Sequence, residues 1–302
     1  MRPVLIYLIA LAGAHLFRRW RYDRWIKHHE LTDASPLPVV NENDHILDGE
    51  KIIISENDLH VILMKRFHYY QKLDPSLQLV FVNRLMDFID QKYFIIKDSR
   101  AFREMPVLVS AAAIQLTFGL KEYRLPFYKY IRIFKEEYVA DHALKILAGN
   151  VRGNMISVAW NHILQGYAEE KDGVNLGLHE MSHALYFQKL VVEEEYAKSF
   201  TRDYHSLVEK CSLAHQDEIK GLKDFYSEYA ETNLQEFWAE SVELFFEKPG
   251  ELRETYPDIF MAMRLLLNQD PLNASFPVIE SRLSFEEKIR KIADRLSKRL
   301  NF

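Results

Sequence analysis

Two histidines four residues apart, His179 and His183, with Glu180 beside the first, are the residues of this chain best suited to chemistry. On a helix that spacing puts both imidazoles on one face, one turn apart, where they can take adjacent corners of a zinc tetrahedron. Glu180 lies one residue further round, placed to reach a metal-bound water without ligating the metal. Zinc lowers the pKa of such a water to about 7, and a neighbouring carboxylate takes its proton as attack begins. The apolar residues Leu176, Leu178, Met181, Ala184 and Leu185 would seat this helix in a core. The same five-residue pattern also occurs on exposed helices that bind nothing, so context must decide.

Catalytic zinc usually takes three protein ligands and leaves one position open. The candidate third ligand is Glu236, just inside a helix whose start carries Thr232 and, three residues on, Gln235, a capping-box pattern. Glu231, Glu236, Glu240, Glu243 and Glu247 follow one another with no lysine or arginine between them. An acidic stripe is most often a solvated face. Here it runs beside Phe237, Leu244 and Phe245, and uncompensated carboxylates near apolar side chains point to a cation. Glu240, one turn beyond Glu236, is expected to accept the second N–H of a ligating histidine. Tyr229 has a phenol able to donate to a developing oxyanion. As one of 16 tyrosines it can equally be a packing residue.

These groups need elements to hold them. Apolar spacing predicts helices over 55–73, 75–92 and 107–120, then from 175 past 190, over 232–249, 259–267 and 284–300. β-branched and aromatic runs predict strands at 130–134 and 155–160. The expected class is α+β, mostly helical, with one small central sheet. Three parts are expected: an N-terminal hydrophobic segment with a basic flank (1–30), a turn-rich linker (31–55) and a domain bearing the candidate zinc site (56–302).

Composition narrows the field. The 302 residues are 48% hydrophobic and 13% aromatic, enough for a sizeable core. A net charge of -5 gives no electrostatic reason to expect a nucleic-acid partner. Cys211, the single cysteine, excludes an internal disulfide and a multi-thiolate metal site. It has no histidine signature beside it, and His142, His162 and the His28–His29 pair lack ligand spacing. Residues 3–17 form an apolar run followed by Arg18, Arg19, Arg21 and Arg24. A short membrane anchor, a buried or interfacial helix and a cleaved signal compete there. An anchor with that charge order leaves the remaining chain in the cytoplasm, on the inner membrane.

The text LHEMSHAL around His179 and TNLQEFWAESVELFFEKP from Thr232 resembles the Mlc titration factor A family of zinc-dependent peptidases. That family is similar in turn to the catalytic domain of anthrax lethal factor. Ser157–Trp160, Asp172–Asn175 and Asn268–Pro271 add to the match, which covers roughly 59–271. The resemblance implies a glutamate-zincin fold, one zinc ion held by His179, His183 and Glu236, and Glu180 as general base. It also implies Tyr229 as a catalytic tyrosine, Glu240 as an acid behind the ligands, and the strand through Val158 as a sheet edge beside the cleft. Peptide substrates, aminopeptidase-type activity and a repressor partner are its functional implications. The N-terminal segment and the insertion over 191–227 depart from the family pattern. The competing reading is a regulatory protein that uses the same scaffold to sequester a transcription factor or membrane partner. A pure binder, however, has no need of Glu180.

Overall fold

In the computed structural model, the described residues are 54–97, 103–139, 146–189, 225–227, 230 and 233–273, with 207, 210–212, 214 and 216 between them. Ser55 caps helix α1 (Glu56–Arg66), its hydroxyl accepting from the Asp58 N–H. The expected single helix over 55–73 is broken at Phe67, whose backbone turns extended before the short α2 (His68–Gln71). Phe67 is buried against Phe81 and Tyr167, so ring packing outweighs helical continuity there. Helix α3 (Pro75–Asp90) starts with proline at its first position, where the missing N–H has no helical partner to lose. Strand β1 (Tyr93–Lys97) and helix α4 (Glu104–Thr117) follow. Residues 105–117 of α4 are all buried, as befits a helix that is apolar nearly all round.

The sheet is built from β1, β2 (Tyr130–Phe134), β5 (Gly149–Arg152) and β6 (Met155–Ala159) in the order β1-β2-β6-β5. β1, β2 and β6 run parallel, whereas β5 pairs antiparallel with β6 and forms one edge. A small antiparallel pair, β3 (Tyr138–Val139) and β4 (Ile146–Leu147), lies between β2 and β5 in sequence. Alternation divides the sheet cleanly. Phe94, Ile96, Ile131, Ile133, Ile156 and Val158 are buried in the common core, while Lys97, Arg132 and Arg152 occupy positions of the opposite parity. Helix α5 (Trp160–Ala168) begins directly after β6, so Trp160 is helical where the sequence suggested strand.

Helices α6 (Leu176–Phe187) and α7 (Leu234–Glu247) carry the functional residues and pack on one another. Leu178, Met181, Ala184 and Leu185 of α6 are fully buried, each leucine stabilising by about 2–3 kcal/mol. The Trp238 indole N–H of α7 donates to the Ser182 carbonyl of α6 at 3.1 Å, fixing the register of the two helices. Helices α8 (Pro249–Thr255) and α9 (Pro257–Leu267) follow. The Gln269 amide then donates to the Gln115 and Leu116 carbonyls, tying the end of α9 to α4. The Asn268–Pro271 motif is therefore a clamp on the core.

The class is α+β and mostly helical, with a small mixed sheet. Residues 3–17, the linker up to residue 53, most of the 191–227 insertion, His142, Tyr229 and the helix expected at 284–300 lie outside the described residues. Among the described residues no helix is long and apolar enough to cross a membrane.

Candidate metal centre

The loop before α6 and the last turns of α7 hold each other. Gly173 turns the chain with φ 76°, a conformation that favours glycine. Its N–H donates to Glu247 at 3.0 Å, and the Asn175 side-chain amide donates to the same carboxylate. Asn175 also caps α6, its carbonyl oxygen accepting from the Leu178 N–H at 3.0 Å. Its own backbone N–H donates to Glu243. Asn233, rather than the expected Thr232, caps α7 by accepting from the Gln235 and Glu236 N–H groups. Each cap contributes about 1 kcal/mol. Together they set where the first turn of α7 meets α6.

Three ligand-type groups converge there. His179 Nε2 lies 3.2 Å from His183 Nε2 and 3.1 Å from a Glu236 carboxylate oxygen, which is itself 3.4 Å from His183 Nε2. A tetrahedral zinc with bonds of 2.0–2.1 Å has ligand atoms about 3.3 Å apart. The three separations are thus those of one face of a zinc tetrahedron. Protons alone serve this donor set poorly, because only one of two facing imidazole nitrogens can donate along the line between them. A cation serves all three. Among the described residues His179, His183 and Glu236 are the group able to hold a metal ion.

Glu243 completes the arrangement, and the sequence reading missed it. One of its oxygens lies 2.7 Å from His179 Nδ1, while the other accepts from Asn175. An ionised carboxylate only accepts, so Nδ1 carries a proton, and Nε2 is the ring nitrogen turned towards His183 and Glu236. The contact with His179 Nδ1 expected of Glu240 is made by Glu243. Glu240 instead accepts from the Ser227 N–H and hydroxyl, both at 2.6 Å, and pins the segment before α7. Helix geometry explains the difference. Advancing about 100° per residue, position i+7 returns to within about 20° of Glu236, whereas i+4 is displaced by about 40°.

The charges are strongly coupled. Burial opposes protonation of His179, but the carboxylates of Glu243, Glu236 and Glu180 outweigh it and hold its pKa well above the ordinary value. Burial would raise Glu236, yet hydrogen bonds and charge from His179 and His183 hold its carboxyl far below the usual range. Glu180 goes the other way: burial pushes it up to about 7 against the opposing pull of both histidines, with Glu236 and Glu243 adding to the rise. One of its oxygens is buried with no hydrogen-bond partner. Gly149 on β5 touches this side chain so closely that a Cβ there would collide with it. A buried carboxylate with an unsatisfied oxygen and a raised proton affinity thus stands beside the three converging groups.

A cleft of about 350 Å³ opens over His179, Glu180, His183 and Glu236, with Gly149, Asn150 and Val151 of β5 along its side. The edge strand beside the cleft is thus β5, whereas the strand through Val158 is interior, flanked by β2 and β5. His162 pairs with Glu137 at 2.7 Å, and Cys211 is buried with its thiol pushed up to about 12 by that burial. Neither joins the cleft.

Residues 50–267 match the family of the glucose-regulated metallo-peptidase M90. The chain belongs to this family. The resemblance to Mlc titration factor A carried by the His179 and Thr232 motifs is to that same family. The M90 match spans the elements from α1 to α9, including the two helices that carry His179, His183 and Glu236. The chain is also similar to the uncharacterized protein slr2042 of Synechocystis sp., with 24% identity over 298 residues covering 90% of this chain and 99% of that protein. A metallopeptidase family and a His–His–Glu group able to hold a metal coincide in one cleft.

Proposed function

We propose that this M90 protein is a zinc-dependent peptidase of the glutamate-zincin type, with His179, His183 and Glu236 as ligands to one zinc ion. The observation that carries the reading is the convergence of those three ligand atoms beside the unpartnered oxygen of Glu180. Zinc bound there would supply Lewis-acid polarisation of the scissile carbonyl and acidify water at the open position. Glu180 takes the proton of the attacking water and delivers it to the leaving amine. Burial, which raises its pKa, keeps it competent for both halves of that transfer. Glu243 holds the His179 tautomer, and Glu240 holds the segment leading into α7. Tyr229, close in sequence to Ser227 at that segment, is assigned the oxyanion donor.

Among the described residues β5 is an edge strand beside the cleft, which supports an extended substrate, since an added strand can satisfy its backbone groups. Aminopeptidase action and membrane attachment through residues 3–17 belong to the same proposal. End-product analysis tests the first and membrane fractionation the second.

Glu180→Gln preserves shape and removes the proton acceptor. It is expected to lower kcat by at least about 1,000-fold while the protein still retains one zinc per chain. Peptide hydrolysis followed by mass spectrometry, beside metal analysis of the same sample, checks this. Near-full activity in the variant would end the assignment.

A further inference from the structure

The sheet face opposite the core carries a second concavity, about 670 Å³ in volume. Lys97 of β1, Arg132 of β2 and Arg152 of β5 line it, together with Asn150 and Ser157, and among the described residues no carboxylate does. These five positions share one parity, opposite to that of buried Ile96, Ile133 and Val158. Neither Lys97, Arg132 nor Arg152 forms an ion pair among the described residues. Arg132 is the sharpest case. Its Nε is buried with no hydrogen-bond partner, although its guanidinium sits 5.9 Å from the centre of the Phe134 ring. The floor beside it is rigid: Phe134 and Tyr138 stack at 3.8 Å, and the Tyr138 hydroxyl donates to Asn150 at 2.6 Å. Three cations on one face with no counter-charge among the described residues repel one another, and a bound carboxylate would offset that repulsion.

Position says where the carboxylate comes from. The concavity and the metal cleft share Asn150 and Gly153, so the edge strand β5 is the wall between them. A peptide added alongside β5 sends successive side chains to opposite faces of the sheet. One set enters the metal cleft, where Glu180, Glu236 and Glu243 make the surroundings acidic. The other set projects over the open face beside Arg152, with Arg132 and Lys97 further in, on β2 and β1. We infer that the open face of the sheet is a specificity site for the acidic side chains of an extended peptide substrate, contacted by Arg152 and attracted by the positive field of Arg132 and Lys97 behind it. This rests on the peptidase reading for its substrate and on the β5 edge for its geometry.

Two fluorescein-labelled dodecapeptides test it, one with Glu and one with Gln at every second position, both amidated so that only side-chain carboxylates differ. Binding to the full-length, zinc-loaded Glu180→Gln protein is read by fluorescence anisotropy at 50 and 500 mM salt. The Glu peptide is expected to bind at least about tenfold tighter at low salt, with the preference shrinking as salt screens it. Adding Arg132→Gln and Arg152→Gln should bring the two peptides within about twofold. Lys97→Gln with Arg152→Gln, both at exposed positions, serves if the half-buried Arg132 proves necessary for folding. Equal affinities at low salt, or a preference that survives these substitutions, would overturn the site. Cleavage by the wild-type protein separates the two readings. Selective binding with neither peptide cut leaves the site standing and removes the peptidase, whereas equal binding with both cut does the reverse.

Discussion

Glu243→Gln isolates the contact that orients the first ligand. In the native protein one Glu243 oxygen accepts from His179 Nδ1 and the other from the Asn175 N–H. Glutamine keeps a single acceptor, so whichever way its amide turns, one N–H meets an NH2 group instead of an oxygen. The lost partner made a charge-assisted hydrogen bond, worth about 1.5–3 kcal/mol. Outer partners of metal-bound histidines typically change affinity by about 10- to 100-fold, or about 1.4–2.7 kcal/mol, so the two routes agree. Competition against a chromophoric zinc chelator measures the affinity, and a metal-free thermal melt records how much of the loss is general destabilisation. Glu240→Gln is the control: its carboxylate contacts Ser227, so zinc affinity should stay within about threefold. A large loss in the Glu240 variant with none in the Glu243 variant would refute the assignment of the orienting carboxylate.

Two further perturbations act on the walls of the site. Gly149→Ala drives a methyl group into the Glu180 side chain. It should lower kcat by about 100-fold with zinc retained, in keeping with an approximately 1 Å displacement of a catalytic group; steady-state kinetics beside metal analysis decide. Glu247 is raised to about 8, first by burial and then by Asp172 and Glu243, against hydrogen bonds from Asn175 and Gly173. Its folded pKa therefore exceeds its unfolded value near 4.5, the fold favours the protonated form, and stability declines as pH rises from about 4.5 to about 8. Glu247→Gln, which cannot ionise, should flatten that part of the stability curve, as scanning calorimetry at a series of pH values would reveal.

Local chemistry was legible in the sequence wherever it depended on local spacing. The pair His179 and His183 needed only one helical turn, and the apolar residues around them predicted that the helix would be buried. Glu236 needed only a helix start, although the cap proved to be Asn233, one residue beyond Thr232. Reading stopped where tertiary contacts decide. β5 is the sequence Gly-Asn-Val-Arg, with a single β-branched residue, and it is a strand because β6 offers it a partner. Tyr93-Phe94-Ile95-Ile96-Lys97 carried a plain strand signal that the preceding helix pattern obscured. That β5 rather than β6 forms the edge depends on the order β1-β2-β6-β5, which no periodicity encodes. Glu243 was passed over because the nearer Glu240 satisfied the one-turn rule, while the packing of α7 on the Asp172–Asn175 loop selected the residue two turns away.

Zinc K-edge absorption of the dialysed full-length protein, compared with Glu236→Ala, probes the ligand set most directly. The expected spectrum has one zinc per chain and a first shell of nitrogen and oxygen at about 2.0–2.1 Å, with the scattering of two imidazoles and no sulfur. Glu236→Ala should lose metal on dialysis. A native spectrum lacking the two imidazoles, or one left unchanged by Glu236→Ala, would show that these residues do not form the metal site.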